Sequence, residues 1–138
     1  MKYLVADASV IVQWLLPEQF CPLQQKALQF REAFIEQHFS IVVPSLWCYE
    51  VGSMLNRFVP RQADDLMAYC SRLGLLQVNP GRKLLRKTWQ LVNQYQVSFY
   101  AASYHALADT SNLEFVTADN SYLERLDHPR GITYLSDW

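Results

Sequence analysis

Short runs of apolar, β-branched residues separated by helix-length stretches set the strongest limit on how this chain folds. KYLVA (2–6), IVVP (41–44) and LEFVTA (113–118) are brief and mostly apolar, the pattern of buried strands. LLQVN (75–79) and GITYL (131–135) add two weaker strand candidates. Strands alternating with helices predict an α/β layer fold around a mostly parallel central sheet.

The intervening segments carry helical spacing. Ser9 is placed to cap a short helix, VIVQWLLP, which Pro17 closes. Residues 22–39, 45–59, 61–74, 81–96 and 120–126 read as further helices, with Pro60 parting two of them and Gly74 as a C-cap. SFYAASYHALA (98–108) opens another, with Ser98 as its cap and Tyr100, Tyr104, Leu107 and Ala108 on an apolar stripe. There is no internal repeat, low-complexity segment or linker, so 138 residues predict a single domain, 1–138.

A hydrophobic fraction of 51% with only four glycines argues against disorder. A net charge of −1 gives no global signal for nucleic acid and leaves room for a local basic patch. Cys21, Cys48 and Cys70 form no C-x-x-C pair and no zinc spacing, so they read as buried structural thiols. No signal peptide and no apolar run near 18 residues is evident, which makes a reducing cytoplasm the expected setting and excludes a membrane span.

In open parallel sheets, functional groups gather beyond the carboxyl ends of the strands. Asp7 and Asp119 each directly follow a strand candidate, and each also suits a helix cap or turn. Glu50 lies beside the helical stripe Trp47, Val51, Met54 and Phe58. A carboxylate facing a core must be paired, protonated or bound to a cation, and Arg57 is the candidate pair. If the three acids converge, repulsion raises their affinity for protons: two carboxylates about 4 Å apart repel by roughly 4 kcal/mol at an effective dielectric near 20. Oxygen-only ligands without His or Cys suit Mg²⁺ or Mn²⁺ rather than zinc. Such a cluster at strand ends is an arrangement for cleaving phosphodiesters with metal-activated water.

The stretches YLVADASVIVQWLLPE, IVVPSLWCYEVGSML, SFYAASYHALA and LEFVTADNSYL occur in the order and at the separations of the PIN-domain ribonucleases. The chain resembles that family along almost its whole length and, within it, the VapC-type toxins. The resemblance implies a PIN-like fold, with a parallel sheet of about five short strands between helices. It also implies Mg²⁺-dependent cleavage of RNA, a homodimer, and a small antitoxin whose tail enters the active-site groove. By position, Asp7, Glu50 and Asp119 match the family's catalytic, metal-binding acids. Ser9 matches the small hydroxyl residue that supports the first of them.

One position departs from the pattern. Family members typically read Tyr-Asp-Ala where this chain has Tyr100-Ala101-Ala102, so a four-acid site retains three acids. Asp109 is eight residues on, roughly 12 Å along a helix axis, and cannot stand in. Three explanations are open: a deliberate inactivating change, a natural loss that leaves a silent protein binding RNA or an antitoxin, or three acids that still hold one ion. Weakened activity is expected. His105, one turn on, stands where the family has an apolar residue, and His38, His105 and His128 read as surface or partly packed residues. Arg57, Arg61, Arg82 and Arg86 are candidate contacts to an RNA backbone and otherwise lie on solvated faces. Residues 22–39 and 69–76 are candidate apolar contact surfaces for a second copy or an antitoxin helix.

Overall fold

The computed structural model describes residues 1–127 and 129–138. Five strands, β1 (Tyr3–Ala6), β2 (Ser40–Pro44), β3 (Leu76–Val78), β4 (Glu114–Thr117) and β5 (Ile132–Tyr134), form one sheet. Every pairing is parallel, and the spatial order is β3-β2-β1-β4-β5. The helices among the described residues are α1 (Ala8–Ile11), α2 (Gln24–Ile35), α3 (Trp47–Phe58), α4 (Ala63–Ser71), α5 (Arg82–Tyr95), α6 (Phe99–Ser111) and α7 (Asn120–Arg125). This is the expected PIN-like α/β architecture.

The central strand explains the layering. Leu4, Val5 and Ala6 are consecutive, so they point to alternate faces, and all three are fully buried. Both faces of β1 must therefore be covered. α6 crosses β1, β2 and β4. Its buried alanines, Ala102, Ala106 and Ala108, let its backbone come close to the strands.

The chain lays β1, β2 and β3 outward in one direction, then returns to the other side of β1 for β4 and β5. The direction reverses between β1 and β4. In open parallel sheets this switch point is where ligands bind, beyond the strand ends. The register pairs Ala6 with Val116, so the chain leaves both strands at the same height, into Asp7 on one side and Thr117, Ala118 and Asp119 on the other. The Asp7 N–H still donates to the Val116 carbonyl, at 3.2 Å.

Several predicted ends move. The helix after β1 is capped by Asp7, whose carboxylate accepts from the Ser9 N–H. Ser9 lies inside it. α1 is only four residues long and gives way to 3-10 turns at Val12–Trp14 and Glu18–Phe20. The helix predicted over 22–39 stops at Ile35, before Gln37 takes a left-handed φ of 66°. The one predicted from Ser45 starts at Trp47, because the Ser45 N–H is held by the Val78 carbonyl at 2.9 Å. Gly74 has φ 87° but lies beyond the end of α4. The Ser98 cap is present: its hydroxyl accepts from the Ala101 N–H at 3.1 Å.

Cys21 and Cys70 are buried free thiols, whereas Cys48 is only partly buried. Burial pushes the Cys70 thiol up to about 12, so it remains an un-ionised packing group. Among the described residues no helix is long and apolar enough to cross a membrane.

Candidate active site

The site is built outward from Asp7. Its carboxyl is 5% exposed and has local partners for both oxygens. Oδ1 accepts from the Ser9 N–H, and Oδ2 accepts from the Thr117 hydroxyl at 2.8 Å. Thr117 is fully buried at the end of β4, and its Oγ1 also accepts from the Asp119 N–H at 3.0 Å. Ser9 reaches across in the same way, its Oγ accepting from the Ala118 N–H at 2.9 Å. Two hydroxyls thus tie the end of β1 to the end of β4. Ser9 meets Asp7 through its backbone N–H, and its hydroxyl reaches the neighbouring strand.

Thr117 went unremarked as a site residue, although it stands two residues before Asp119 in the matched stretch. Thr117→Val keeps its shape and removes the donor to a buried carboxylate. A loss of about 1–2 kcal/mol is expected in urea unfolding, with no change in m-value. An unchanged midpoint would mean that the Asp7–Thr117 bond contributes nothing to stability.

Asp119 caps α7. Its Oδ1 accepts from the Ser121 hydroxyl at 2.6 Å and from the Tyr122 N–H at 3.2 Å. The cap reading and the site reading are compatible, because the cap bonds use one oxygen and leave Oδ2 available. Asp119 lines a cleft of about 250 Å³ together with Ala101, Ser98, Tyr122 and Arg125. The position of the missing acid therefore faces the same space as the last acid. Arg125 is a cation in this cleft that sequence reasoning did not single out. Its position near the end of a short helix capped by Asp119 was the available signal.

Glu50 projects from the first turn of α3 and is partly buried. Burial, reinforced by the negative charges of Asp7 and Asp119, pushes its carboxyl up to about 7. Burial likewise raises Asp7, with a smaller contribution from Asp119. The Tyr104 hydroxyl lies close enough to Glu50 to temper the shift. Even so, neither Glu50 Oε1 nor the Tyr104 hydroxyl makes a hydrogen bond, and both atoms are buried. Among the described residues no ion pair joins Glu50 to Arg57; the Arg57 guanidinium instead lies 5.2 Å from the Phe58 ring centroid.

The three predicted acids thus sense one another's charge around the switch point. Among the described residues, however, no three acidic, His or Cys side chains stand close enough together to share an ion. The donor chemistry still fits a hard divalent cation: oxygen ligands only, mutual repulsion, and an orphaned buried carboxylate oxygen at Glu50.

The remaining candidates lie elsewhere. Arg57 and Arg61 are exposed at the α3–α4 turn, and Arg82 and Arg86 are exposed on α5. His105 shares a 2.7 Å hydrogen bond with the Tyr122 hydroxyl, and burial lowers it to about 4, so it is neutral and committed to packing. His38 is exposed beside Glu36. His128 lies outside the described residues.

A family model for the PIN domain matches residues 4–129. The chain belongs to the PIN domain family. No curated protein matches it in sequence. Solved structures share its fold. The VapC20 toxin of Mycobacterium tuberculosis, described as cleaving the sarcin-ricin loop, superposes with a TM-score of 0.69 at 14% identity, over 88% of this chain and 93% of that one. A toxin–antitoxin complex from Klebsiella pneumoniae gives 0.69 at 15% identity, over 96% and 97%. VapBC2 of Rickettsia felis, bound to a DNA fragment from its promoter, gives 0.64 at 10% identity, over 97% of both chains. At these identities the likeness is one of fold, and this PIN domain's chemistry rests on its own residues.

Proposed function

We propose that this PIN domain is a toxin-type endoribonuclease of the VapC kind, with Asp7, Glu50 and Asp119 as its metal-binding acids and with activity weakened by Ala101. The observation that carries the reading is the buried Glu50 Oε1, which has no partner although two further carboxylates bear on it. A buried carboxylate left this way is costly unless a proton or a cation completes it.

In this reading Asp7, Glu50 and Asp119 would hold Mg²⁺, or Mn²⁺ in its place, once drawn closer together than they stand here, and the ion would supply the activation of water and the neutralisation of phosphate charge. Thr117 and Ser9 fix Asp7 relative to the end of β4. The α7 cap holds Asp119 at the cleft wall and engages only its Oδ1. Arg125, in the same cleft, offers a guanidinium to a phosphate oxygen. A homodimer, an antitoxin partner and a cytoplasmic setting belong to the same proposal. The antitoxin partner is supported by the fold likeness to a structure described as a toxin–antitoxin complex.

A second reading is favoured by Ala101 itself: a silent PIN domain that binds RNA or an antitoxin without cutting. A titration with Mn²⁺, followed by cleavage of a single-stranded RNA in Mg²⁺, separates the two. Measurable metal uptake with slow, metal-dependent cleavage supports the nuclease. RNA binding without metal uptake or cleavage supports the silent form. Asp7→Asn is expected to abolish whatever cleavage the parent shows, and residual cutting by that variant would count as contamination.

A further inference from the structure

The outer face of α5 is built unlike an ordinary solvated helix face. Its inner face, Leu84, Thr88 and Leu91, is buried. α5 packs chiefly on α6. Opposite that face stand Arg82, Leu85, Arg86 and Trp89, which line a shallow groove of about 540 Å³ with Gln90 and Asn93. This concavity is larger than the Asp119 cleft and holds none of the predicted acids.

Two properties of the groove identify what fits it. First, Trp89 sits near the centre of the solvent face and is 54% exposed, with Leu85 also exposed beside it. Leaving a tryptophan half in water, one turn beyond Arg86, forgoes the burial that such a ring normally finds. Second, the charge is of one sign. Four of the chain's twelve Lys and Arg residues lie in the sixteen residues 81–96, with no Asp or Glu among them. Lys87 is neutralised by Asp109 at 3.0 Å, but among the described residues no ion pair holds Arg82, Lys83 or Arg86. Arg82 and Lys83 also lie in the first helical turn, where the helix dipole disfavours cations. An aromatic face in one groove with two uncompensated guanidinium groups matches a polyanion whose flat, apolar bases are open to stacking.

The groove shares no lining residue with the Asp119 cleft, but the start of α6 connects the two. The Trp89 ring packs on Phe99, centroid to centroid 4.9 Å, at the start of α6. Tyr100 follows and is 46% exposed. Ala101, the next residue, lines the Asp119 cleft. Arg82 and Arg86 are four residues apart, about 6 Å along the helix axis, so they can meet phosphates of one strand.

We propose that the α5 face is a binding surface for single-stranded RNA, with one base stacked on Trp89 and the backbone held by Arg82 and Arg86, leading the strand toward the Asp119 cleft. The direction of that lead rests on the nuclease reading; the binding does not. A base within a duplex cannot present its face to Trp89, which sets single strands apart from double-stranded RNA.

The test uses the full chain with a fluorescent 12-nucleotide single-stranded RNA, in a chelator so that no cleavage intervenes. Anisotropy gives the affinity across a salt series. Trp89→Ala is expected to weaken binding about fivefold to a hundredfold, and Trp89→Phe, which keeps a ring, to weaken it less. The double variant Arg82→Gln/Arg86→Gln is expected to lower the slope of log affinity against log salt by about 1.4. An equal-length duplex is expected to bind with no dependence on Trp89. Thermal melts check that each variant folds. The proposal is overturned if the parent binds no RNA, if Trp89→Ala binds as the parent does, or if that variant alters only the sedimentation coefficient, which would make the face a protein contact. In a parallel reaction with Mg²⁺ in place of chelator, failure of cleavage in the parent and in Ala101→Asp, with the Trp89 dependence of binding intact, removes the nuclease reading and leaves this surface standing.

Discussion

Ala101→Asp is expected to raise Mg²⁺-dependent cleavage of single-stranded RNA, and to tighten Mn²⁺ binding by at least about tenfold, the range in which even supporting residues of metal sites act. The expectation follows from where Ala101 lies. It is half-buried in the first turn of α6, its N–H is held by Ser98, and its side chain lines the cleft shared with Asp119. A carboxylate at this position enters the cleft space from a residue packed at the margin of the core. The same variant carries a second expectation of opposite sign. Without metal, a fourth acid adds to the repulsion already raising Glu50 and Asp7, so its melting temperature in chelator falls below that of the parent. Mg²⁺ must then stabilise the variant more than the parent, since binding to the folded state alone adds stability with ligand concentration. Equal cutting by the two proteins would show that position 101 is not a ligand site. A gain in stability on Mg²⁺ without a gain in cutting would show that it binds metal away from the reaction.

The two halves of this expectation separate local from tertiary information. The acids at 7 and 119 could be picked out because each ends an apolar run, and a strand end in a parallel sheet is a functional address. Their adjacency could not be read in the same way. It depends on β4 pairing with β1 rather than with β3, a long-range arrangement that no local run of residues encodes. Glu50 stands out by its nearness to an apolar stripe, but that its candidate pair Arg57 lies over the Phe58 ring instead has no trace in spacing. Ser9 was legible as a hydroxyl near the first acid; that Asp7 caps α1 while Ser9 binds the Ala118 N–H depended on the register of two strands. Thr117 and Arg125 were missed for a related reason. Their roles come from facing Asp7 and Asp119 in space, and neither stands out as a residue type in its own segment. Helix ends moved wherever a backbone group had a better partner than the helix, as at Ser45.

Glu50 carries the other large effect, and it acts on stability. Its carboxyl is raised from 4.5 to about 7 in the folded chain. Between these values the folded state binds more protons than the unfolded one, so unfolding releases them and stability falls as pH rises. Below about 4.5 both states are protonated and the group is neutral in effect. Above about 7 the full cost is present, on the order of 3 kcal/mol for a shift of this size. In chelator the protein is therefore expected to melt on the order of 10 °C lower at pH 8 than at pH 5 from this group alone. Asp7, raised by burial, adds to the fall in the same direction. Glu50→Gln removes the Glu50 part: it should melt higher than the parent at pH 8 and show a shallower pH dependence. Mg²⁺ is expected to recover much of the loss in the parent at pH 8 and little in Glu50→Gln, because the cation and the proton compete for the same oxygen. A flat melting temperature from pH 5 to 8 in chelator would mean that the buried Oε1 is already satisfied. The carboxylate cluster would then not be waiting for a cation at all.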